Sequence, residues 1–423
     1  MIRSMFSAIS GLRNHQTMMD VVGNNISNVN TNGFKSSSTV FEDVLSQTFR
    51  GAGLATATAG GTNPNTIGLG SRVSSIATSF AQGSLQRTGR STDFAIQGDG
   101  FFVVQSGDGR TYTRAGSFAV DALGRITTSD GGFIQGWQAD QQGQVSTTQV
   151  LTNITIPVGD LVPPVQTGVV RAGGNLPANA AIGTVLTNGA NVFDGQGNPV
   201  GLRLEYTKTA SDTWKVEARY VDGSNNLVPA PPAAGQAITG SPLVFDGNGE
   251  LTSGYNATIP AGFLPGFATQ PVTLNFGAAG MGGRINQFGD IASVEILEQD
   301  GSAAGSLQAF SVSQEGLIVG TYTNGRTRAI GQMALATFSN PNGLEAAGGT
   351  SFTESVNSGL PQIGIAGGGA GRGLITAGTL EMSNVDLSQE FTNLIIAQRG
   401  FQANSRVITT SDELLQEVVN LKR

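Results

Sequence analysis

The chain has 423 residues, among them 61 glycines, a single histidine and no cysteine, with a formal net charge of -7 and 13% charged residues. One core rarely grows past roughly 250 to 300 residues, so two or more globular units are expected. Glycine stands at about twice its usual share and charge at about half, which fits turn-rich β structure and a surface partly covered by other copies. Lysine occurs at Lys35, Lys208, Lys215 and Lys422; with no basic tract to displace phosphate counterions, nucleic acid is excluded as a partner. The lack of cysteine excludes disulfides, thiolate chemistry and Cys-containing metal sites.

The first residues, MIRSMFSAISGLRNHQ, are broken by polar side chains every two or three positions. They form neither a signal-peptide core nor a membrane span, so no membrane insertion is expected and any export uses an uncleaved route. From Ile2 to Ile26 a heptad frame places Met5, Leu12, Met19 and Ile26 on one apolar seam and Ile2, Ile9, Gln16 and Gly23 on a weaker second one. This helix is expected to stop by Asn32-Gly33, where glycine supplies the left-handed cap. At the other end Leu387, Leu394, Phe401, Ile408 and Leu415 fall seven apart, flanked by Phe391, Ala397, Val418 and Val419. Asp386 is its expected N-cap, with Gln389 completing a capping box. The two helices bracket a chain whose interior reads as β, so their seams are expected to face each other and neighbouring copies.

Between them, apolar and polar residues alternate. Leu202, Leu204 and Tyr206 stand against Arg203 and Glu205, and Trp214, Val216, Ala218 and Tyr220 against Lys215, Glu217 and Arg219, two half-buried strands joined at Thr209 to Asp212 as a hairpin. Val272, Leu274 and Phe276 alternate likewise. Asx-Gly turns recur at Asp108, Asp130, Asp194, Asp222, Asp246, Asp300 and Asn324, so antiparallel β-domains are expected. The stretch Gly51 to Gly70 reads as an extended linker. Further joints are expected at Pro157 to Pro164, Pro229 to Pro232 and Gly367 to Gly373. The fold class is therefore mainly β with long α-helices at both termini, a nested multidomain chain.

Signs of chemistry are few. His15 lies in the N-terminal helix and reads as a surface or interface residue, not a catalytic one. No phosphate-binding loop, nucleophile elbow or HExxH sequence is present. The runs from Asp194 to Asn198 and Asp246 to Gly249 look like calcium loops but lack the distal bidentate Glu, so they are assigned to turns. No catalytic residue, cofactor or metal is expected.

More specific are the runs Gly23 to Asn28 and Asn32 to Lys35, which contain Asn24, Asn25, Ile26, Ser27, Asn28, Gly33, Phe34 and Lys35. This pattern resembles the N-terminal signature of flagellar rod, hook and hook-associated axial proteins. Ser383 to Leu387 followed by Gln398, Arg399, Gly400, Phe401, Gln402, Ala403, Asn404, Ser405 and Arg406 resembles that family's C-terminal signature. Thr88 to Arg90, Ala95 to Phe102 and Tyr112 to Phe118 are similar to its inner β-domain. The insert of residues 151–330 favours the hook branch over the rod branch, and the run Phe193 to Asn198 resembles the hook's outer domain. A Cys-derived crosslink described in some members is excluded here.

The resemblance implies four regions: residues 1–32 and 384–423 as a terminal helical coiled coil, 33–75 as a linker or hinge, 76–150 and 331–383 as the inner β-domain, and 151–330 as an inserted outer β-domain. It implies a homopolymer, the tubular hook that joins rod to filament and transmits torque. Implied partners are the rod protein, hook cap, hook-filament junction proteins and flagellar export apparatus. The alternatives are a distal rod protein and a secreted β-rich adhesin or carbohydrate-binding module.

Overall fold

The computed structural model describes residues 2–54, 60–107, 109–140, 142–159, 161–221, 227–228, 238, 242–277, 285–289, 291–369 and 371–420. Asp108, the Asp222-Gly223 turn, Pro229 to Pro232 and Lys422 lie outside them, as do the side chains of Ile2 and Val418. Two long helices, α1 (Ile2–Ser27) and α2 (Leu387–Asn420), bracket a succession of β-strands, which is the expected fold class. No described helix is long and apolar enough to cross a membrane. The chain divides into two compact units. One comprises Met1–Pro157, Phe310–Gly320 and Arg328–Arg423; the other comprises Val158–Ala309 and Thr321–Thr327.

In the first unit, strand Phe101–Ser106 pairs antiparallel with Gly109–Thr113 and with Phe133–Gln138. Its run of four buried residues, Phe101 to Val104, points alternately to both faces and is apolar throughout, as a fully buried strand must be. Phe101 and Val103 join Tyr112, Trp137, Ala334, Ala336 and Phe338 in one cluster. On the opposite face Phe102 meets Phe118 edge to face at 5.2 Å. Two short ladders, Leu374–Ala377 on Phe94–Gln97 and Thr379–Glu381 on Leu85–Arg87, lead the chain into α2.

The linker expected between residues 51 and 70 is not an unpaired segment. Ser37–Asp43 pairs antiparallel with Ser71–Thr78, and Ser46–Arg50 with Asn65–Gly68. Bonds from Val44 N to Gly70 O at 3.0 Å and Leu69 N to Leu45 O at 2.8 Å join the two ladders into one ribbon. Composition misled because the ribbon closes through backbone bonds, and its apolar residues (Val40, Phe41, Phe49, Ile67 and Ile76) mostly flank the Gly-rich part.

The second unit packs two sheets over a shared core. Val185–Phe193, Pro199–Ala210 and Thr213–Val221 form an antiparallel meander in which Tyr206 faces Val216 across the hairpin expected from sequence. The other sheet departs from the antiparallel rule: Val169–Asn175 pairs parallel with Val272–Asn275 and Ile285–Asn286, and antiparallel with Glu295–Gln299. Adjacent-strand reasoning misses a partner about a hundred residues away. Leu202, Leu204, Tyr206, Trp214 and Val216 from the first sheet meet Val170, Leu274 and Phe276 from the second.

Trp214 is fully buried at the centre of that core. Its replacement by Ala is expected to cost about 3 to 5 kcal/mol. In calorimetry of the intact chain, Trp214→Ala is expected to lower the transition of the second unit and leave that of the first in place.

Candidate functional site

The two ends of the chain meet. A side chain added at Gly11 would lie 2.7 Å from Asn404 Nδ2, and one at Gly400 would run into the His15 ring. Asn25 Nδ2 donates to Glu390 Oε1 at 3.1 Å. Numbers rise along α1 as they fall along α2, so the helices are antiparallel. The buried residues at the interface are Ala8, Val22, Asn25, Ala397 and Ser411, with Gly11 and Gly400 between them. Small residues let the backbones approach closely, and the penalty for glycine inside a helix is offset by that packing.

The seams expected from hydrophobicity flank this contact. Met5, Leu12, Met19 and Ile26 are half-buried on α1, three or four residues from Ala8 and Val22. On α2, Leu394, Phe401, Ile408 and Leu415 are half-buried along an edge, and Leu387 is exposed. Counting large apolar residues finds the heptad but not the tightest line, because the closest approach selects the smallest side chains. His15 lies in this contact with Nδ1 buried and its ring 6.3 Å from that of Phe41, an interface placement.

Asn25 is the most informative residue of the N-terminal signature. It is completely buried, donates from Nδ2 to Ser37 O at 2.7 Å and accepts from Ser37 N at 3.0 Å through Oδ1. With its bond to Glu390 it ties α1, the ribbon and α2 together. Asn14 Nδ2 donates to Ser71 Oγ at 2.8 Å, and the Arg3 guanidinium stands 5.8 Å from the Phe49 ring, so the ribbon runs back along α1. The other short amides close the helix end: Ser27 Oγ and Asn28 Nδ2 both donate to Asn24 O, at 2.8 and 2.9 Å, and Thr31 Oγ1 donates to Asn28 Oδ1 at 3.1 Å. α1 ends at Ser27, six residues before Gly33. Ile26 and Phe34 are half-buried, and Gln398 and Arg399 are exposed on α2. Asp386 caps α2 as expected, accepting from Ser388 N at 2.8 Å and Gln389 N at 3.2 Å. The Gln389 side chain does not return to close a box; its Nε2 donates forward to Asn393 Oδ1 at 3.2 Å.

Below the helices the chain passes through a neck held by buried charge. Lys35 Nζ donates to Glu381 Oε1 at 2.6 Å and to Ala81 O at 2.8 Å. Arg114 Nη1 reaches Glu381 Oε2 at 3.4 Å, and Gly83 N donates to Glu381 Oε1 at 2.9 Å. The Lys35 and Glu381 side chains are both 0% exposed. Burial pushes the pKa values of Lys35 and Arg114 down, and attraction to Glu381 opposes it. Gly33, at φ +70, donates to Glu381 O at 2.8 Å; a side chain there would lie 2.5 Å from Ala115 N. Asn384 completes the neck, accepting from Ser36 N at 2.8 Å and donating to Ser79 O at 2.8 Å. Lys35 belongs to the N-terminal signature and Arg114 to the run Tyr112 to Phe118, whereas Glu381 carries no motif; its one signal in the sequence is a lone charge between Leu380 and Met382 in a chain sparing of charge.

The runs that looked like calcium loops have another use for their carboxylates. Asp194 Oδ1 accepts from Gln196 N at 2.9 Å and Asn198 N at 2.8 Å; Asp246 Oδ1 accepts from Asn248 N at 2.9 Å and Glu250 N at 2.7 Å. Asp121 and Asp140 repeat the pattern, and in all four turns the glycine three residues on has φ between 79° and 85°. The carboxylate caps a hairpin turn. Among the described residues no group of three or more His, Cys, Asp or Glu side chains is placed to hold a metal.

Glu381→Gln leaves both buried cations without an anion, and a loss of roughly 3 to 5 kcal/mol is expected on denaturant unfolding. Adding Lys35→Met to that variant is expected to recover part of it. For Asp194, burial would raise the pKa, but hydrogen bonds from the Asn198 side chain and from backbone N–H groups outweigh it and hold the carboxyl below its ordinary 3.8. A lowered folded-state pKa gives stability that is present above 3.8 and lost as pH falls through the folded value. Asp194→Asn, which keeps the accepting oxygen, is expected to flatten that acid limb in a pH series of melting temperatures.

Family comparisons agree with this architecture. Residues 5–35 match the flagella basal body rod protein family, 95–175 the flagellar hook protein FlgE/F/G D1 domain, 177–302 the flagellar basal body protein FlaE D2 domain and 376–421 the flagellar basal body rod FlgEFG protein C-terminal family. The flagellar hook protein FlgE of Borreliella burgdorferi is 40% identical over the full length of both chains. The flagellar basal-body rod protein FlgG of Bacillus subtilis is 31% identical over the full length of both. The crystal structure of Helicobacter pylori flagellar hook protein FlgE2 shares the fold at a TM-score of 0.50 and 14% identity, covering 70% of this chain and all of that one. The chain belongs to the flagellar hook protein family.

Proposed function

We propose that this chain is the subunit of the flagellar hook, that it works by polymerising into a flexible tube that passes torque from rod to filament, and that it catalyses nothing. The observation that carries the reading is the pairing of the two chain ends, which leaves apolar surface that a lone subunit cannot cover. On α2, Ile396, Ala403, Val407 and Leu414 follow heptad spacing on a second face, turned away from the small-residue line, with Ile396 54% and Leu414 55% exposed. Phe6 on α1 is 65% exposed, and the ribbon shows Val40, Phe49, Ile67 and Ile76 to solvent. A two-stranded ribbon with apolar residues on open faces is marginal in water and gains stability when another surface covers it.

Neighbouring subunits supply that cover. The half-buried row of Met5, Leu12, Met19 and Ile26 and the edge of Leu394, Phe401, Ile408 and Leu415, with exposed Leu387, belong to the same assembly surface. Stacked helix pairs form a stiff inner layer, suited to torque. The rod, cap, junction proteins and export apparatus are the partners this reading requires. The rod reading draws on the full-length likeness to the FlgG protein; a straight assembled polymer supports it, and a curved, compliant one supports the hook.

Each exposed seam residue is worth roughly 1.5 to 3 kcal/mol when fully covered. Ile396→Asp and Leu414→Asp are expected to abolish polymerisation, read by sedimentation and electron microscopy. Because the charge stays solvated in the monomer, its melting curve is expected to match the wild type.

A further inference from the structure

Beside the neck a cavity of about 180 Å³ is lined by Phe80, Asp99, Phe101, Arg114, Phe338 and Pro341. We propose that this cavity is a binding site for a single carboxylate group, held by the Arg114 guanidinium against aromatic walls.

Two buried cations, Lys35 and Arg114, share one buried carboxylate, Glu381. Among the described residues Arg114 makes its one ion pair with Glu381, at 3.4 Å, and its Nε is shielded from solvent without a hydrogen-bond partner. A guanidinium carries five donors in a planar fork, and leaving one buried and unmet is costly. Among the buried groups the site is one negative charge and one acceptor short; the solvated Asp99 carboxylate on the rim answers the charge only in part. A monoanion with two oxygens in a plane supplies both, and the fork recognises that geometry.

The walls set the size and the class. Phe101 lies under the guanidinium, 5.4 Å from its carbon, and meets Phe80 and Phe338 edge to face at 5.4 and 5.9 Å. Phe101 and Phe338 are buried, so on their side of the guanidinium a charge-assisted bond counts for more than at the surface. The volume lies below the roughly 300 Å³ at which sites for drug-sized ligands begin, so the occupant is a side-chain tip or a small acid. A phosphate dianion would overcompensate the single missing charge.

Asp99 stands exposed on the rim. Its carboxylate attracts Arg114 through space and repels an incoming anion, which keeps binding weak and exchangeable. Two sources share the required chemistry: an Asp or Glu side chain of a second copy, in a chain with 30 acidic against 23 basic residues, or a free small carboxylic acid.

The test uses the full-length protein and sodium acetate titrated at constant ionic strength against chloride, followed by the Arg114 side-chain Nε–H resonance. Acetate is expected to shift that resonance saturably where chloride does not. Asp99→Asn is expected to tighten binding roughly two- to fivefold, the worth of one exposed charge interaction. Arg114→Lys, which keeps the charge and removes the fork, is expected to abolish the saturable, acetate-specific heat expected of the wild type in titration calorimetry. If that variant does not fold, the Asp99→Asn titration decides alone. Inhibition of polymerisation by saturating acetate assigns the occupant to a second copy, and polymer that forms normally while retaining acetate assigns it to a free acid. No saturable, acetate-specific shift in either wild type or Asp99→Asn overturns the proposal.

Discussion

The rest of this molecule depends on the antiparallel contact between its first and last helices. That contact is possible because small residues line it: Ala8 and Gly11 on one helix, Ala397 and Gly400 on the other. Close approach brings many weakly attractive atoms together over a long interface. It also fixes the topology, because a chain whose ends must lie side by side has to return everything between them to its starting point. The second unit, Val158–Ala309 with Thr321–Thr327, is inserted within the sequence of the first.

The neck turns that topology into a rigid joint. Lys35, Gly83, Arg114 and Glu381 come from four distant parts of the sequence and satisfy one another out of water. Buried ion pairs are poor net sources of stability, but they discriminate strongly against wrong arrangements, since each misplaced charge is left alone in a low-dielectric interior. Together with Asn25, which bonds the ribbon and both helices, the network fixes where the helical pair leaves the β-domain. For a subunit that carries torque, a joint that resists slippage at the root of the helices is the mechanical requirement.

Much of this was legible in the sequence, for identifiable reasons. Both helices announced themselves by heptads, and the strands around Leu204 and Trp214 by alternation, because burial on one face writes a period into the residues. The turns at Asp194 and Asp246 were legible from their Asp-Gly composition, although the left-handed glycine is Gly197 or Gly249, three residues on, and not the one that follows the Asp. What stayed hidden was pairing between distant segments. Nothing local joins Lys35 to Glu381, or Val170 to Leu274, or, within the ribbon of residues 37–78, Glu42 to Arg72. The glycines of the helix contact stayed hidden for a related reason: hydrophobicity marks what is covered, whereas closeness is marked by the absence of bulk.

The central claim is that the two chain ends close on each other within one subunit. Because the chain has no cysteine, a disulfide can be introduced without a competing thiol. In the double variant Gly11→Cys, Asn404→Cys the two positions lie close enough to bridge, since a side chain at Gly11 meets that of Asn404. The measurement is oxidation of the assembled polymer followed by non-reducing electrophoresis. This account predicts a monomer-sized band containing an internal crosslink, located by mass spectrometry of the peptides around residues 11 and 404, whereas a ladder of crosslinked dimers and higher species with no internal crosslink would contradict it, because the ends would then pair between copies.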